Sequence, residues 1–504
     1  MSALGDILDT GRHVEAHRPW PRAIVDVEGW ESATVLAADG RCTLLGLWGE
    51  KDAVHMALAV QDPLEIAVLS LPCPDGAFPS VGRHHPPAIR LERTIRDLFG
   101  LAPQGAVDAR PWLDHGRWGK RRPLGDVHAD TGAGAPYAFL PVEGESLHQI
   151  PVGPVHAGII EPGHFRFTAN GETVVRLEER LGYVHKGIEG LMAGAEIARA
   201  AKLAGRVSGD STVAYAVAFA QAVEAALDMT APPRAQWLRA LMIELERLAN
   251  HLGDIGAICN DASFAIMLAH CGILRERVLR AADAAFGHRL MRDRAVPGGV
   301  AADLSNAGMD AIRSLLREIR ARFPTLVQLY DRTTSLQDRT VSTGRLGATL
   351  ARQFGAGGYV GRASDRAFDA RQLPSPLPYG ELGFEIVTRT DGDVNARIWV
   401  RIDEVTHSLA LIERILERLP GGDAHVALPN AGAAREGMAM VEGFRGDILV
   451  WLRLGGDGRI VRCHLRDPSW FQWPLLEAVI EGNIVADFPL CNKSFNCSYS
   501  GHDL

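Results

Sequence analysis

Apolar and polar positions follow two different patterns along the chain. Up to residue 101, short apolar and β-branched runs are bounded by Gly, Asp and Pro, which predicts strands of a small sheet. These runs cover residues 23–30, 42–49, 53–60 and 64–71. Residues 87–101 predict a helix, because their apolar positions share one side and Gly100 lies near the end.

Longer helical patterns begin at residue 151. Between residues 233 and 255, apolar residues recur at alternating steps of three and four and form a continuous stripe. Glu244 and His251 lie at its margin, so we expect a boundary pair that reaches solvent rather than a buried functional carboxylate. We also predict helices at 172–198, 211–226, 263–287, 307–326 and 402–419, a strand at 386–390, and a hairpin of 447–454 with 460–465.

The stretch of residues 102–150 loses both patterns and becomes rich in Pro, Gly, His and charge. This composition is typical of a linker or of an arm that lies on a surface. We therefore predict an α+β fold in three parts. A small α/β sheet domain covers residues 1–118, an arm covers 119–150, and a mainly α domain with small β attachments covers 151–504.

Composition narrows the class of protein. Of the 504 residues, 47% are apolar and 23% are charged, as in ordinary globular proteins. A net charge of −8 disfavours nucleic acid as the main partner, because phosphate binding needs a basic face. The seven cysteines have no paired spacing, which favours reduced thiols over a disulfide framework. No signal peptide and no apolar run of about 18 residues is evident, so we expect other subunits to provide any membrane anchoring.

Two segments have the composition of a binding site. The first spans residues 153–211, beginning GPVHAGIIEPGHFRF and ending RVSGDS, and the second is the final stretch LCNKSFNCSYSGHDL. Their glycines and small polar residues allow the backbone to approach a ligand closely. Neither segment contains a metal-binding set. No Cys-x-x-Cys occurs in the chain, and Ser208 and Ser211 carry neutral hydroxyls that are poor ligands for soft metals.

Ordered motifs give the chain a resemblance to known families. The string LERTIRDLFGLAPQGAVDARPWL at 91–113 is similar to the signature region of the thirty-kilodalton subunit of respiratory complex I. The strings GYVHKGIEGLM, PPRAQWLRALMIELERLANHL, VPGGVAADL and EGFRGDI follow in the order found in the forty-nine-kilodalton subunit of complex I and in group 4 [NiFe]-hydrogenase large subunits. The chain thus resembles a fusion of these two complex I subunits, and its two site segments are similar to those of the hydrogenase-4 and formate hydrogenlyase type.

The resemblance also implies where a nickel–iron centre would be held. Group 4 hydrogenases use two Cys-x-x-Cys pairs, and the matching positions here are Ser208, Ser211, Cys497 and Ser500. One thiolate out of four cannot build that centre, because a bridged metal pair needs anionic sulfurs. The resemblance therefore implies a scaffold without the nickel–iron centre, as in the energy-converting hydrogenase-related complexes.

Candidate catalytic residues come from the first site segment. In hydrogenase-like loops a carboxylate at the position of Glu161 relays protons; Ile159, Ile160 and Pro162 should partly desolvate it and raise its pKa. The alternative is that Glu161 caps or braces the loop. His156 and His164 have the same two interpretations, of which the structural one is preferred.

Candidate cofactor-facing residues are also implied by the resemblance. Arg206 and Asp210 are expected to pair beside the former metal pocket. Arg289 is retained where the family contacts the nearest iron–sulfur cluster, although the neighbouring His position holds Met291. The family's quinone-binding His and Tyr positions hold Pro162 and Ile197, so a quinone remains an open acceptor.

The implied assembly is a membrane-bound oxidoreductase complex that translocates protons or sodium. The implied partners are a small iron–sulfur subunit like the twenty-kilodalton one of complex I, a ferredoxin-like subunit, and integral-membrane antiporter-like and anchor subunits, with this chain peripheral on the cytoplasmic face of the inner membrane. We expect no cofactor on this chain alone, and the absence of a dinucleotide glycine fingerprint leaves the electron donor unidentified. The chain is then a redox-coupling subunit; the alternatives are a non-catalytic structural subunit and, more remotely, an active hydrogenase.

Overall fold

The structure of the protein is a computed structural model that describes residues 2–62, 64–126, 128–129, 136–157 and 160–504. The helices are α1 Ala3–Thr10, α2 Val27–Ala38, α3 Ile89–Phe99, α4 Ile188–Met192, α5 Ile197–Ala204, α6 Thr212–Ala226, α7 Pro233–Asp261, α8 Ala265–Phe286, α9 Asn306–Arg332, α10 Thr334–Thr340, α11 Ala348–Gln353, α12 Gly358–Arg362, α13 Val394–Arg418, α14 Ser469–Val479, α15 Phe488–Phe495 and α16 Tyr499–Asp503.

The strands alternate with these helices in the first and last parts of the chain. They are β1 Arg12–His13, β2 His17–Arg18, β3 Arg22–Ile24, β4 Thr43–Gly49, β5 Ala53–Gln61, β6 Leu64–Pro72, β7 Ala77–Pro79, β8 Ala102–Gln104, β9 Lys120–Arg121, β10 His128–Ala129, β11 Leu147–Val152, β12 His164–Asn170, β13 Thr173–Arg180, β14 Ala295–Val296, β15 Gly299–Val300, β16 Arg435–Glu442, β17 Asp447–Leu454 and β18 Ile460–Arg466. The mixture confirms the predicted α+β class. In the described part of the chain, no helix is both long and apolar enough to cross a membrane.

The amino-terminal sheet has the strand order β1-β3-β6-β5-β4, in which only β3 and β6 are parallel. Three of the four predicted strands are confirmed, and α3 confirms the predicted helix. The run 23–30 is only partly a strand, because Asp26 accepts a hydrogen bond from the Gly29 backbone (2.9 Å) and starts α2. The indole of Trp30 is consequently buried on a helix, where its N–H donates to the Pro79 carbonyl.

Long helices form the core of the second part. The stripe on α7 is confirmed, and α6, α8, α9 and α13 coincide with or extend the predicted helices. The predicted helix 172–198 is wrong. Its first part is β13, which pairs antiparallel with β12, and the left-handed backbone of Gly182 (φ 94°) and Gly187 (φ 67°) separates that strand from α4.

Two smaller predictions are also wrong for reasons of tertiary contact. Residues 386–390 form no strand, because the Arg389 backbone bonds instead to Arg362 at the end of α12 and to Asp365 in the loop that follows. Glu244 and His251 do not reach solvent, since both are fully buried against α13. There His251 Nε2 donates to Glu404 (2.7 Å) and Glu244 accepts from Ser408 (2.6 Å). The hairpin of β17 and β18 is confirmed.

A short piece of the amino terminus completes the sheet of the second part. β2 adds in parallel to β16, giving the order β18-β17-β16-β2. Beside this junction Arg22 forms an ion pair with Glu436, whose other oxygen accepts from Arg453 (2.8 Å). Arg453 also donates to Glu50 (2.8 Å), and Glu50 accepts from His55 Nε2 (2.9 Å). Buried polar contacts therefore join the two sheets.

His55 makes stability depend on pH, as do the buried His17 and His85. Burial lowers the pKa of the His55 imidazole from 6.5 to about 4. Between these two pH values His55 is protonated in the unfolded chain but not in the folded protein. The free energy of unfolding therefore falls by up to about 3 kcal/mol as pH falls from 6.5 to 4. We predict that a His55→Gln variant loses less stability than the wild type over this interval, in unfolding curves measured at each pH.

Burial raises the pKa of Glu92 to about 7, so this carboxyl adds stability to the folded protein as pH falls through the same interval. The contribution of His55 is therefore measured as a difference between variants. The exposed His84 provides the control, and His84→Gln should follow the wild-type pH profile. Parallel profiles for His55→Gln and the wild type would refute the prediction.

Candidate functional site

Three segments that are distant in sequence meet at the candidate site. They are the loop 153–163, the turn 206–211 and the carboxy-terminal segment 496–504. Ser208 Oγ lies 3.0 Å from Ser498 Oγ, and the Ser500 backbone N–H donates to Glu161 Oε2 (3.1 Å). The structure thus brings together the loop and both segments that carry the presumed ligand positions.

Helix caps position these segments. Glu246 on α7 accepts from the Val213 and Ala214 backbones (2.7 and 3.1 Å) and so caps the first turn of α6 directly after Ser211. Ser498 caps α16 by accepting from the Gly501 backbone (2.8 Å). Each presumed ligand segment therefore lies at the start of a helix, where side chains accept from part of the free N–H groups.

Arg445 occupies the centre of the site. It lies in the turn between β16 and β17, with its side chain 5% exposed. The guanidinium donates to Asp210 (2.9 Å), to Ser211 Oγ (3.3 Å) and to the Asn496 carbonyl. Burial alone would lower the pKa of Arg445, but the Asp210 carboxylate raises it above its usual range. A permanent cation therefore ties the turn 206–211 to the carboxy-terminal segment.

Cys497 is enclosed beside this cation. It is buried, and its Sγ lies 3.9 Å from Gln472 Oε1. The amide of Gln472 in turn donates to the Gly357 and Arg445 carbonyls (3.1 and 2.9 Å). Burial raises the pKa of the Cys497 thiol well above its usual range, so the thiol is neutral.

These donors do not fit a nickel–iron centre. The presumed positions supply one neutral thiol and three hydroxyls, one of which, Ser211, accepts from a guanidinium. Soft metal pairs need several anionic sulfurs, and a neighbouring cation opposes a dication further. Within the described ranges, no group of three or more His, Cys, Asp or Glu side chains is arranged to hold a metal.

Glu161 is placed differently from the expectation. Its side chain is exposed, so the expected partial desolvation of this carboxylate is wrong. Ile160 is also exposed, Pro162 is half-buried, and Ile159 lies outside the described residues. The contact with Ser500 places Glu161 at the mouth of the site, and its catalytic role stays a prediction.

His156 and His164 contact the backbone of their own loop. His156 Nε2 donates to the Gly163 carbonyl (2.7 Å), and His164 Nδ1 donates to the Gly153 carbonyl (3.2 Å). Both bonds connect the start of the loop to its end, and they favour the structural interpretation. Their catalytic role is not tested by these contacts.

The expected pair of Arg206 and Asp210 is wrong. Arg206 lies on the exposed side of the turn and pairs with Asp293 (2.8 Å), whereas Asp210 faces the buried Arg445. Arg289 pairs with Glu276 on the surface (2.7 Å). Arg289 and Asp210 nevertheless line one small cavity of about 120 Å³, together with Met291.

Sequence reasoning missed the residues that close the site. Arg445 was within reach, since it lies in the EGFRGDI motif, but its partner Asp210 is 235 positions away. His502 and Asp503 lie in the second site segment but were not singled out within it. Asp503 accepts from the Gly182 backbone (2.9 Å), and His502 accepts from the indole of Trp112 (3.2 Å). The carboxy terminus is thereby held against the segment that leads into the arm.

The burial of Arg445 generates a testable difference between two ion pairs. Asp210→Asn leaves a buried guanidinium without its carboxylate, so we expect a loss of about 2 kcal/mol or more in the free energy of unfolding. Asp293→Asn breaks the exposed pair with Arg206 and should cost less than about 1 kcal/mol. Urea unfolding of both variants measures this, and equal losses would contradict the central placement of Arg445.

Comparisons with known proteins show which family and which proteins this chain is similar to. The family described as "Respiratory-chain NADH dehydrogenase, 49 Kd subunit" matches residues 261–434 and 429–503. Formate hydrogenlyase subunit 5 of Escherichia coli (strain K12) is 32% identical over 84% of this chain and 77% of its own length. Hydrogenase-4 component G of the same organism is 32% identical over 94% of this chain and 84% of its own.

One subunit of the NADH-quinone oxidoreductase of Syntrophobacter fumaroxidans is 30% identical over 70% of this chain and 95% of its own length. The resemblance found in the motifs is therefore confirmed for the second part of the chain. The chain belongs to the family of the 49 kDa subunit of respiratory-chain NADH dehydrogenase, with large hydrogenase subunits of the formate hydrogenlyase and hydrogenase-4 type among its relatives.

Proposed function

We propose that the chain is the peripheral-arm scaffold subunit of a membrane-bound, ion-translocating oxidoreductase complex and that it holds no nickel–iron centre. The relatives supply the first half of this proposal, because their names are those of subunits of hydrogenase and NADH-quinone oxidoreductase complexes. The observation that carries the second half is the donor set, in which Ser208, Ser211 and Ser500 take the thiolate positions and Arg445 lies among them.

The proposed partners follow the same relationship. A small iron–sulfur subunit, like the twenty-kilodalton one of complex I, would place its cluster near the cavity of Asp210 and Arg289, and a ferredoxin-like subunit would deliver electrons to it. Antiporter-like and anchor subunits would hold the chain on the cytoplasmic face of the inner membrane. The sheet of β1 and β3–β6 would correspond to the thirty-kilodalton subunit of complex I, and a quinone is the proposed acceptor class.

Within this function, Glu161 is the proposed proton-carrying group. Its carboxylate lies where the exposed loop meets the carboxy-terminal segment, held by the Ser500 backbone. An exposed carboxylate exchanges protons with water rapidly, and its contact with the buried segment gives it a position between solvent and the site. Cys497 has no such access, since it is buried.

A purely structural role is the second candidate. Ser208 contacts Ser498 and Cys497 contacts Gln472, so side chains of the presumed ligand positions bond to neighbouring residues of the fold. Such packing is also what assembly alone would require. The two candidates differ in whether the removal of a proton carrier at the mouth changes turnover.

The metal content tests the donor argument. We predict that the purified complex contains no stoichiometric nickel, because three hydroxyls and one neutral thiol do not replace four thiolates. Elemental analysis should measure nickel per chain, since iron would also come from partner clusters. A value near one nickel per chain would refute the proposal.

The proton-carrying role generates a separate prediction. Glu161→Gln keeps the size and the contact with Ser500 while removing the titrating group, so it should lower redox-driven ion uptake by about tenfold. Cys497→Ala should stay within about threefold of the wild type, because burial raises the pKa of this thiol and it does not release its proton near neutral pH. Uptake is measured in membrane vesicles at equal assembly level.

The exposed Glu172, on the turn between β12 and β13, supplies the matched control. Glu172→Gln should leave uptake unchanged. Wild-type uptake in Glu161→Gln would favour the structural candidate, and abolished uptake in Cys497→Ala would reverse the proposed roles of the two residues.

A further inference from the structure

A cavity of about 230 Å³ lies between the amino-terminal sheet domain and the carboxy-terminal end of the chain. Residues of β4, α3, segment 113–124, α4 and β18 line it. Apolar side chains dominate the wall, among them Leu47, Leu91, Ile95, Leu98, Phe99 and Leu124. An apolar cavity of only about 150 Å³ is large enough to bind benzene. The space therefore suits a hydrocarbon chain.

Three polar side chains of this wall are engaged with one another. Glu189 forms an ion pair with Arg462 (2.8 Å) and accepts from His464 Nδ1 (2.9 Å). Because these charges are balanced within the wall, a charged head group is expected at the rim rather than inside the cavity.

Lys186 adds a positive charge at the rim. The backbone N–H of Lys186 donates to the Leu504 carbonyl, and its ammonium donates to the Val207 carbonyl (3.0 Å). Within the described ranges, the ammonium of Lys186 forms no ion pair. Partial desolvation lowers the pKa of Lys186, and the more distant carboxylates of Glu161 and Asp503 act in the opposite sense. An anionic head group at the rim would supply a direct counter-ion.

We propose that this cavity binds a medium-chain fatty carboxylate, with the hydrocarbon chain against Leu98 and Phe99 and the carboxylate at Lys186. The hydrocarbon chain matches the apolar wall, and the carboxylate matches the positive charge of Lys186 at the rim. The inference rests on the cavity between the domains and is independent of the proposed redox role, because the lining includes neither Arg445 nor any of the presumed metal-ligand positions.

Binding should be measured by calorimetry on the purified full-length protein with its co-purifying partners. Octanoate is expected to bind saturably at one site per chain. Octylamine has the same chain with a cationic head, and we expect it to bind at least about tenfold more weakly because it meets Lys186 with like charge. Dihexanoylphosphatidylcholine, used below its micelle concentration, tests whether a lipid acyl chain is the occupant instead.

Two variants locate the site. Leu98→Trp fills the cavity and should abolish octanoate binding, with circular dichroism to confirm the fold. Lys186→Gln changes an exposed side chain and should weaken octanoate by about fivefold while leaving 1-octanol unchanged. The exposed Lys51 supplies the control variant Lys51→Gln, which should bind octanoate as the wild type does.

The proposal is overturned by any of four results. These are equal affinity for octylamine and octanoate, binding of the phospholipid but not of octanoate, undiminished binding in a folded Leu98→Trp protein, and unchanged octanoate affinity in Lys186→Gln. The redox proposal would stand in each case, since neither Arg445 nor the presumed metal-ligand positions line this cavity.

Discussion

Burial of a guanidinium is unfavourable unless other groups balance its charge. The site depends on the groups that balance the charge of Arg445. An enclosed cation is costly unless a carboxylate and further acceptors surround it. Asp210, Ser211 and the Asn496 carbonyl supply these acceptors. They belong to two segments that are far apart in sequence, so the same contacts also hold those segments together. In the proposed account, this ion pair holds the two segments together without a metal centre.

The turn that carries Arg445 is itself positioned by charged residues of the helical core. Arg247 on α7 donates to the Glu442 and Gly443 carbonyls (2.8 and 3.0 Å) at the start of this turn. The neighbouring Glu404 of α13 accepts from His251 (2.7 Å) and from Arg362 (2.8 Å). Breaking one partner of such a buried network costs about 3–5 kcal/mol. The orientation of Arg445 is therefore fixed by the fold around it.

Sequence patterns predicted the elements of this scaffold better than its contacts. The stripe of α7 was recognisable because helix periodicity is local, whereas the burial of Glu244 and His251 depends on partners on α13, more than 150 positions away. β13 was missed because its pairing with β12 overrides local helix propensity. At the site, the motifs pointed to Ser208, Ser211 and Ser500 as the presumed ligand positions. They could not indicate that Glu161 is exposed, because the exposure of this side chain depends on how the chain around it packs in the folded protein.

Hydrogen-isotope exchange tests the central claim most directly. A working nickel–iron centre splits dihydrogen, and exchange between D₂ and water reports that reaction without any electron acceptor or partner substrate. The claim that Arg445 and three serine hydroxyls replace the metal site predicts no HD formation above a protein-free blank in the purified, intact complex under reducing, oxygen-free conditions. Sustained HD formation in proportion to the amount of complex would contradict it.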